Sequence, residues 1–585
     1  MLSASSSFKS IPAMLLLLAA LSLSAASPNF LFLLSESLDG RLLRDDSPAH
    51  IPNIRALLAS GSVRFDTAFS NNPVCAPSRA SLFSGRAPHR IPHMHNGYLV
   101  SGVWNNYEGL APGYAQRLDQ LLAAAGYATS IEGKTDWTMG SHTESCRLAS
   151  LTMNVAWPYN TTRPSWGWNE EDGTCASPGP VAPGGSAGAA GSSYPSDWKI
   201  MSTTASFAAT AAQPFFAYAG TTILHPPYQT TQYWYDIAAD RPVPTWAALD
   251  AVHPCEFQAS MRRGCAPAPD APGAAAFYSP ARIARVRRVY LAELEEFDAM
   301  VGEVVAALRA AGRLESTWIV LAADHGACVC VGGGGRLAQR SPSRAHPLTH
   351  ARTRNTPMHW RAGDMQLEKQ MFYKMVPYDA SARVPLIFAR PSLRAARVVT
   401  QPTQLLDIFP TLLAAAGVPT PAWADGHDLA PFLRGAATDP SRPPFVVSQN
   451  HDEDIAASWF LVVNETHKLI QWGNGSQVAP QLFDLAADPD EMADLAPSQP
   501  STVAALDGAL KSLIDYPSVA MDVAQYQKQQ LRYWVNSTPG WETEVVKERW
   551  GTAWEEAPVK AMRAFKAYLA DDELTLQPCN GAPAN

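Results

Sequence analysis

The sequence predicts an α/β fold in which a mostly parallel sheet is covered on both faces by helices. Three observations carry this: short solid apolar runs recur along the chain, helical stretches separate them, and polar clusters follow directly on several runs. Solid apolar runs suit strands buried on both faces, and alternation with helices suits parallel crossovers.

Residues 30–34 (FLFLL) form the first run and lead into Glu36 and Asp39. Residues 51–60 show helical periodicity and stop at Gly61, a residue suited to the position just past a helix. Residues 127–131 are a short strand ahead of Glu132-Gly133-Lys134, and residues 214–220 (PFFAYAG) another ahead of His225. Residues 317–322 are the clearest internal strand and run into Asp324-His325-Gly326, and residues 385–388 are one more. Helices are expected over 283–309 and 403–416. In open α/β sheets ligands bind outside the carboxyl ends of the strands. Glu36, Asp39, Lys134, His225, Asp324 and His325 are therefore expected to converge on one cleft. A Pro-rich break at 442–444 precedes a C-terminal part with strand-like runs at 445–448 and 459–463.

The 585 residues are 46% hydrophobic and 17% charged, a globular composition, and the net charge of -8 excludes the basic stripe of a nucleic-acid binder. Lys9, the apolar run 14–23 and the small residues 24–27 have the order of a signal peptide. That run is too short for a stable membrane span, and no later segment is apolar enough for one. Entry into the secretory pathway, with an extracellular or lysosome-like destination, is expected. Cysteines there can pair. Of the eight (Cys75, Cys146, Cys175, Cys255, Cys265, Cys328, Cys330 and Cys579), Cys146 with Cys175 and Cys255 with Cys265 could close local loops, although spacing does not fix connectivity. Asn160, Asn464, Asn474 and Asn536 open glycosylation sequons. Residues 176–194, 242–273 and 327–362 read as loops or insertions.

The sharpest local signal is Cys75-Ala76-Pro77-Ser78-Arg79, continued by Ala80-Ser81-Leu82-Phe83-Ser84-Gly85-Arg86. Pro77 suits the first turn of a helix, where its missing N–H costs nothing. Cys75 would then sit at a helix N-terminus, whose amides and dipole favour negative charge. Arg79, one turn on, is expected to hold an oxygen at position 75. A buried or disulfide-bonded cysteine is the plainer reading of Cys75 taken alone.

The whole motif resembles the signature of the sulfatase family, in which an accessory formylglycine-generating enzyme oxidises the cysteine to formylglycine. The resemblance implies an alkaline phosphatase-like catalytic domain and a smaller C-terminal domain with an antiparallel sheet. The expected division is a signal peptide over 1–27, a catalytic domain over 28–444, a C-terminal part over 445–560 and a tail over 561–585. It also implies one divalent cation, usually calcium, held by Glu36, residue 75, Asp324 and His325, with Asp39 as a further candidate. Lys134 and Lys374 match the family's sulfate-contacting lysines, and His225 its catalytic histidine. Taken singly, each lysine is more simply a solvated charge, His225 a loop histidine and Asp324 a helix cap. Their joint order along the chain favours the functional reading. The implied substrate is a sulfated saccharide, with aryl sulfates as artificial substrates.

Within the family the chain resembles the arylsulfatase K branch, which acts on glucuronate 2-sulfate. The shared stretches are 35–41 (SESLDGR), 104–110 (WNNYEGL), 372–385 (FYKMVPYDASARVP), 482–490 (LFDLAADPD) and 515–526 (DYPSVAMDVAQY). That points to a 2-O-sulfated uronate. Two departures stand out. Glu36 is one methylene longer than the branch's Asp, and Asp136 stands where many sulfatases have His, which leaves Asp136 or His142 as the base that expels sulfate. Residues 327–362 have no counterpart and read as an unspliced intron or a lid. The competing functions are a phosphodiesterase or phosphonate hydrolase of the same superfamily and a non-catalytic protein that binds sulfated glycans.

Overall fold

The computed structural model describes residues 27–138, 181–243, 279–326, 365–366, 372–543 and 556–572, apart from positions 46, 48, 96–97, 107, 112, 115, 226–227, 394, 452–457 and 477. The signal peptide, Asn160, His142, the 327–362 segment and every cysteine but Cys75 lie outside the described residues.

The central sheet takes five of its seven strands from the predicted runs. The seven are β1 (Asn29–Ser35), β2 (Ser62–Phe65), β3 (Ala128–Gly133), β4 (Phe215–Gly220), β5 (Thr317–Ala323), β6 (Leu386–Ala389) and β7 (Ala396–Val399), of which β2 and β7 were not foreseen. Their order across the sheet is β7-β2-β6-β5-β1-β4-β3. The pairs β1 with β5, β1 with β4, β3 with β4 and β2 with β7 are parallel. Strand β6 runs antiparallel to both β5 and β2.

The solid run of β1 is explained by burial on both faces. Leu31 and Leu33 point into one core with α1 (Pro52–Ser60), α3 (Pro195–Thr210) and α4 (Pro280–Ala310). Phe30, Phe32 and Leu34 point into the other with α2 (Cys75–Ser84) and α5 (Ile408–Ala415). Alternate side chains of a strand face opposite sides, so a strand between two helical layers is apolar at every position. Helix α4 starts with Pro280 behind a Ser279 cap, and α1 ends at Gly61, whose φ of 132° is open to glycine.

The stretch 403–416 is a correction. Thr403–Gln404 is a strand, Leu405–Asp407 a 3-10 turn, and the helix begins only at Ile408. A reciprocal cap between Gln404 and Asp407 fixes that late start.

The C-terminal part contains β8 (Val446–Asn450), β9 (Trp459–Val463), β10 (His467–Trp472) and β11 (Gln481–Asp484), an antiparallel sheet in sequence order. One face packs Trp459, Leu461 and Ile470 against Met375, Val376 and Tyr378 of the catalytic part. The other packs Phe460, Val462 and Leu469 against Leu506 and Leu510 of α6 (Pro500–Leu513). Helix α7 (Tyr516–Ser537) follows. Among the described residues no helix is long and apolar enough to cross a membrane.

Candidate active site

Helix α2 begins at Cys75, as the Pro77 argument requires, and all ten of its residues are buried. Gly85 ends it in the left-handed region at φ 69°, where a Cβ would press into the Phe409 ring. Residues Glu36 and Asp324 follow the adjacent parallel strands β1 and β5, so the sheet brings both carboxylates to the mouth of α2. Glu36, Cys75, Asp324 and His325 are all buried and each offers a ligand atom within 4.8 Å of the others.

The contacts around the sulfur are dense. The Cys75 thiol donates to Glu36 Oε1 at 2.9 Å. Lys374 Nζ donates to Cys75 Sγ at 2.7 Å and lies 3.2 Å from the Nε2 atoms of both His225 and His325. Lys134 pairs with Glu36 Oε2 at 2.9 Å and with Asp136 at 3.1 Å. Five of the expected residues (Glu36, Lys134, His225, Asp324 and His325) thus meet at one place, joined by Lys374 from far along the chain.

Arg79 differs from its expectation. Its fully buried guanidinium bonds Glu36 Oε2 at 2.7 Å, Asp324 Oδ2 at 2.8 Å, the Lys134 carbonyl at 2.8 Å and the Tyr218 hydroxyl at 2.8 Å. It braces the two carboxylates instead of holding the atom at position 75. Planar guanidinium forks suit this bridging.

Asp39 is the second correction. It stands outside the ligand group because its carboxylate caps the turn Gly40–Leu43 and pairs with Arg41 at 3.0 Å. Burial, only partly offset by Arg41, lifts its carboxyl to about 7.

The charges tune one another. Burial alone would raise the Glu36 carboxyl, but Lys134, Arg79, His325 and Lys374 outweigh it and hold it well below the ordinary carboxylate range. Burial opposes charge on His325 too, yet Asp324 with Cys75 and Glu36 prevails and pushes it up to about 10. Burial, with Lys374 and Lys134 nearby, holds His225 well below the ordinary imidazole value. Its side chain is 28% exposed, which leaves it open to a ligand.

Several residues were missed in the sequence. Asn106 Oδ1 accepts the Ala76 amide at 3.1 Å and so caps the helix that carries Cys75. Ser70 and Ser78 both donate to the Asp324 carbonyl at 2.6 Å. Tyr218 ties Arg79 to the Lys134 carbonyl. Asn106 lies inside the stretch 104–110 and Ser78 inside the cysteine motif, so both regions were marked while the contacts were not.

Two carboxylates, two imidazoles, two lysines and an arginine around one buried nucleophilic position suit the capture of a tetrahedral anion and the displacement of a group from it. The sulfatase family profile matches residues 28–418, and the chain belongs to that family; it is a sulfuric ester hydrolase. A second profile, N-sulphoglucosamine sulphohydrolase, C-terminal, matches residues 367–515. Among characterised relatives the chain is similar to arylsulfatase K of Bos taurus, with 29% identity over 574 residues covering 93% of this chain and 92% of the relative. Arylsulfatase K of Homo sapiens is 28% identical over 574 residues, covering 93% of each chain. The fold is shared with a solved 2-O GAG sulfatase (21% identity, TM-score 0.55, 87% of this chain and 94% of that one). It is also shared with the phosphonate monoester hydrolase of Agrobacterium radiobacter (19% identity, TM-score 0.60, 83% and 95%).

Proposed function

We propose that this enzyme hydrolyses sulfate esters through a formylglycine formed from Cys75, with 2-O-sulfated uronate residues of polysaccharides as its substrate class. The observation that supports it best is the surrounding of Cys75 Sγ by Glu36, Lys374 and His325. The sulfur stands in for the oxygens that a hydrated aldehyde would carry there. The uronate preference rests on the similarity to arylsulfatase K.

Glu36, Asp324 and His325 fit a divalent cation, calcium on this reading. Two carboxylates supply the oxygens that ion prefers. His325 Nδ1 lies 3.3 Å from the Gly326 carbonyl, which leaves Nε2 directed at the ligand group. When bound, the ion polarises the sulfate and favours ionisation of the hydroxyl at residue 75.

The hydrated residue 75 provides two hydroxyls on one carbon. One displaces the alcohol from sulfur, and ionisation of the other then expels sulfate and restores the aldehyde. Lys134 and Lys374 offset charge on the sulfate oxygens. The entering anion raises the pKa of His225 by bringing negative charge beside it, and the imidazolium donates to the departing alcohol. Asp136, paired with Lys134, and His142 are the candidates for the base that releases sulfate. Maturation needs the formylglycine-generating enzyme, hence passage through the secretory pathway, with Asn160, Asn464, Asn474 and Asn536 as acceptors for glycans. The destination is an extracellular or lysosome-like compartment.

The test is mass spectrometry of the peptide containing residue 75, joined to a sulfate-release assay with and without chelator. An aldehyde at position 75 with chelator-sensitive sulfate release is expected. A plain thiol in protein from the native host that releases no sulfate would end the proposal. Faster turnover of an aryl phosphate diester than of an aryl sulfate would favour the phosphonate hydrolase reading instead.

A further inference from the structure

His225 sits at the end of a tight turn after β4. Leu224, just before it, has φ 78°, a conformation unfavourable for a branched apolar side chain. The His225 amide closes the turn on the Thr222 carbonyl at 3.1 Å. Two buried carboxylates hold the amides on either side of it. Asp197, in the first turn of α3, accepts from Thr222 N at 3.0 Å, Ile223 N at 2.6 Å and the Thr222 hydroxyl at 3.1 Å. Glu293, in the middle of α4, accepts from Gln229 N at 2.6 Å and from the Tyr194 hydroxyl at 2.8 Å. The amides of Thr222 and Ile223 before His225, and of Gln229 after it, are thus held by side chains of two helices on one face of the sheet. The other oxygen of Glu293, Oε2, is buried without a hydrogen bond, so this carboxyl is committed to the turn and to Tyr194. The turn also walls a cavity of about 340 Å³ that Ser196, His225 and Gln229 line.

We infer that Asp197 and Glu293 are positioning residues that aim His225 at the oxygen of the departing alcohol. This rests on the reading of His225 as the proton donor. A backbone strained at Leu224 holds only where its surroundings over-determine it, and the two carboxylates supply that restraint. Neither touches the sulfate-binding lysines, so their removal disturbs proton delivery and leaves anion capture in place.

The discriminating measurement is the dependence of rate on the leaving group. Wild type, His225→Ala, Asp197→Ala and Glu293→Ala are assayed on 4-nitrophenyl sulfate, whose phenol leaves without help, and on a 2-O-sulfated uronate, whose alcohol needs a proton. Both carboxylate variants are expected to lose about 10- to 100-fold more kcat on the sugar than on the aryl ester, the span of general acid catalysis and below, with KM for the aryl ester little changed. Because removing a buried carboxylate can prevent folding, Asp197→Asn and Glu293→Gln are run in parallel and checked by thermal melting. They are expected to show the same split at smaller size. Equal losses on both substrates, or no loss, overturn the positioning role. If His225→Ala shows no split, the proton-donor reading falls and this inference with it. If His225→Ala shows the split and the carboxylate variants do not, only the positioning role falls.

Discussion

Trp459 on β9 donates its indole N–H to the Met375 carbonyl at 2.8 Å, one residue beyond Lys374. Met375 itself has φ 77°. Nearby, Lys468 on β10 pairs with Asp379 and, at 2.6 Å, with Glu491, and it donates to the Pro377 carbonyl at 3.2 Å. The C-terminal sheet therefore grips the segment that presents Lys374 to the sulfur. Trp459→Phe keeps an aromatic ring at this buried position, with some loss of packing, and removes one hydrogen bond. A fall in kcat/KM of roughly 5- to 10-fold, equivalent to about 1 kcal/mol, is expected in steady-state assays. Lys468→Met leaves buried Glu491 without its ion-pair partner, while Asp379 keeps Arg383 at 3.0 Å, and is expected to cost about 3 kcal/mol, read as a lower urea midpoint.

Cys75→Ser tests the need for two hydroxyls on one carbon. A serine oxygen can take the sulfuryl group and has no second hydroxyl with which to release it. The expected product is an inactive enzyme, or one whose intact mass shows one added sulfuryl group after exposure to substrate. Turnover at the wild-type rate contradicts the covalent route.

Chelation should remove activity and lower the melting temperature together, because the buried charges of Glu36 and Asp324 lose a partner. Readdition of calcium should restore both. An ion at 100 times its dissociation constant stabilises by ~2.7 kcal/mol, so the melting shift is measurable independently of turnover.

Glu108 gives a pH prediction. Burial, only partly offset by hydrogen bonds from Trp104 N, Tyr526 and Asn105, lifts its carboxyl from 4.5 to about 8. The folded chain thus keeps a proton that the unfolded chain gives up above 4.5. The associated stability is complete below that value and drains away as pH climbs to about 8. Glu108→Gln lacks this dependence. Melting curves should show the variant close to wild type near pH 5 and more stable than wild type near pH 8. A constant difference across that range argues against a protonated Glu108.

The sequence was legible where one residue type answers one local demand. Residues 30–34 had to be a doubly buried strand because apolar side chains occupy both parities, and Pro77 marked the first turn of α2. Strand β6 was found at 385–388, yet its antiparallel direction was not, since direction is set by the long connection from β5. Glu36 and Asp324 were placed at one cleft by their positions after β1 and β5, and their reading as candidate cation ligands came from the resemblance to sulfatases. Asp39 was misjudged because a carboxylate two or three positions past a strand can cap a turn as well as face the cleft. Arg79's bonds to Glu36 and Asp324 were not foreseen because helical spacing gives a direction but not a destination. The contacts of Asn106, Asp197 and Glu293 carry no local signature; they arise only when distant segments meet.

Cys75 is 1% exposed, and every residue of its helix is packed against protein. On the proposed formylglycine route, a maturation enzyme that must grasp this side chain finds it enclosed once the two layers have closed over the sheet. On that route chemical maturation and folding are rivals in time: a chain that collapses early is locked in as an inert thiol, however well formed. The yield of active molecules is then decided by kinetics during synthesis, and slowing the folding of the catalytic part should raise it even though no atom of the finished site has changed.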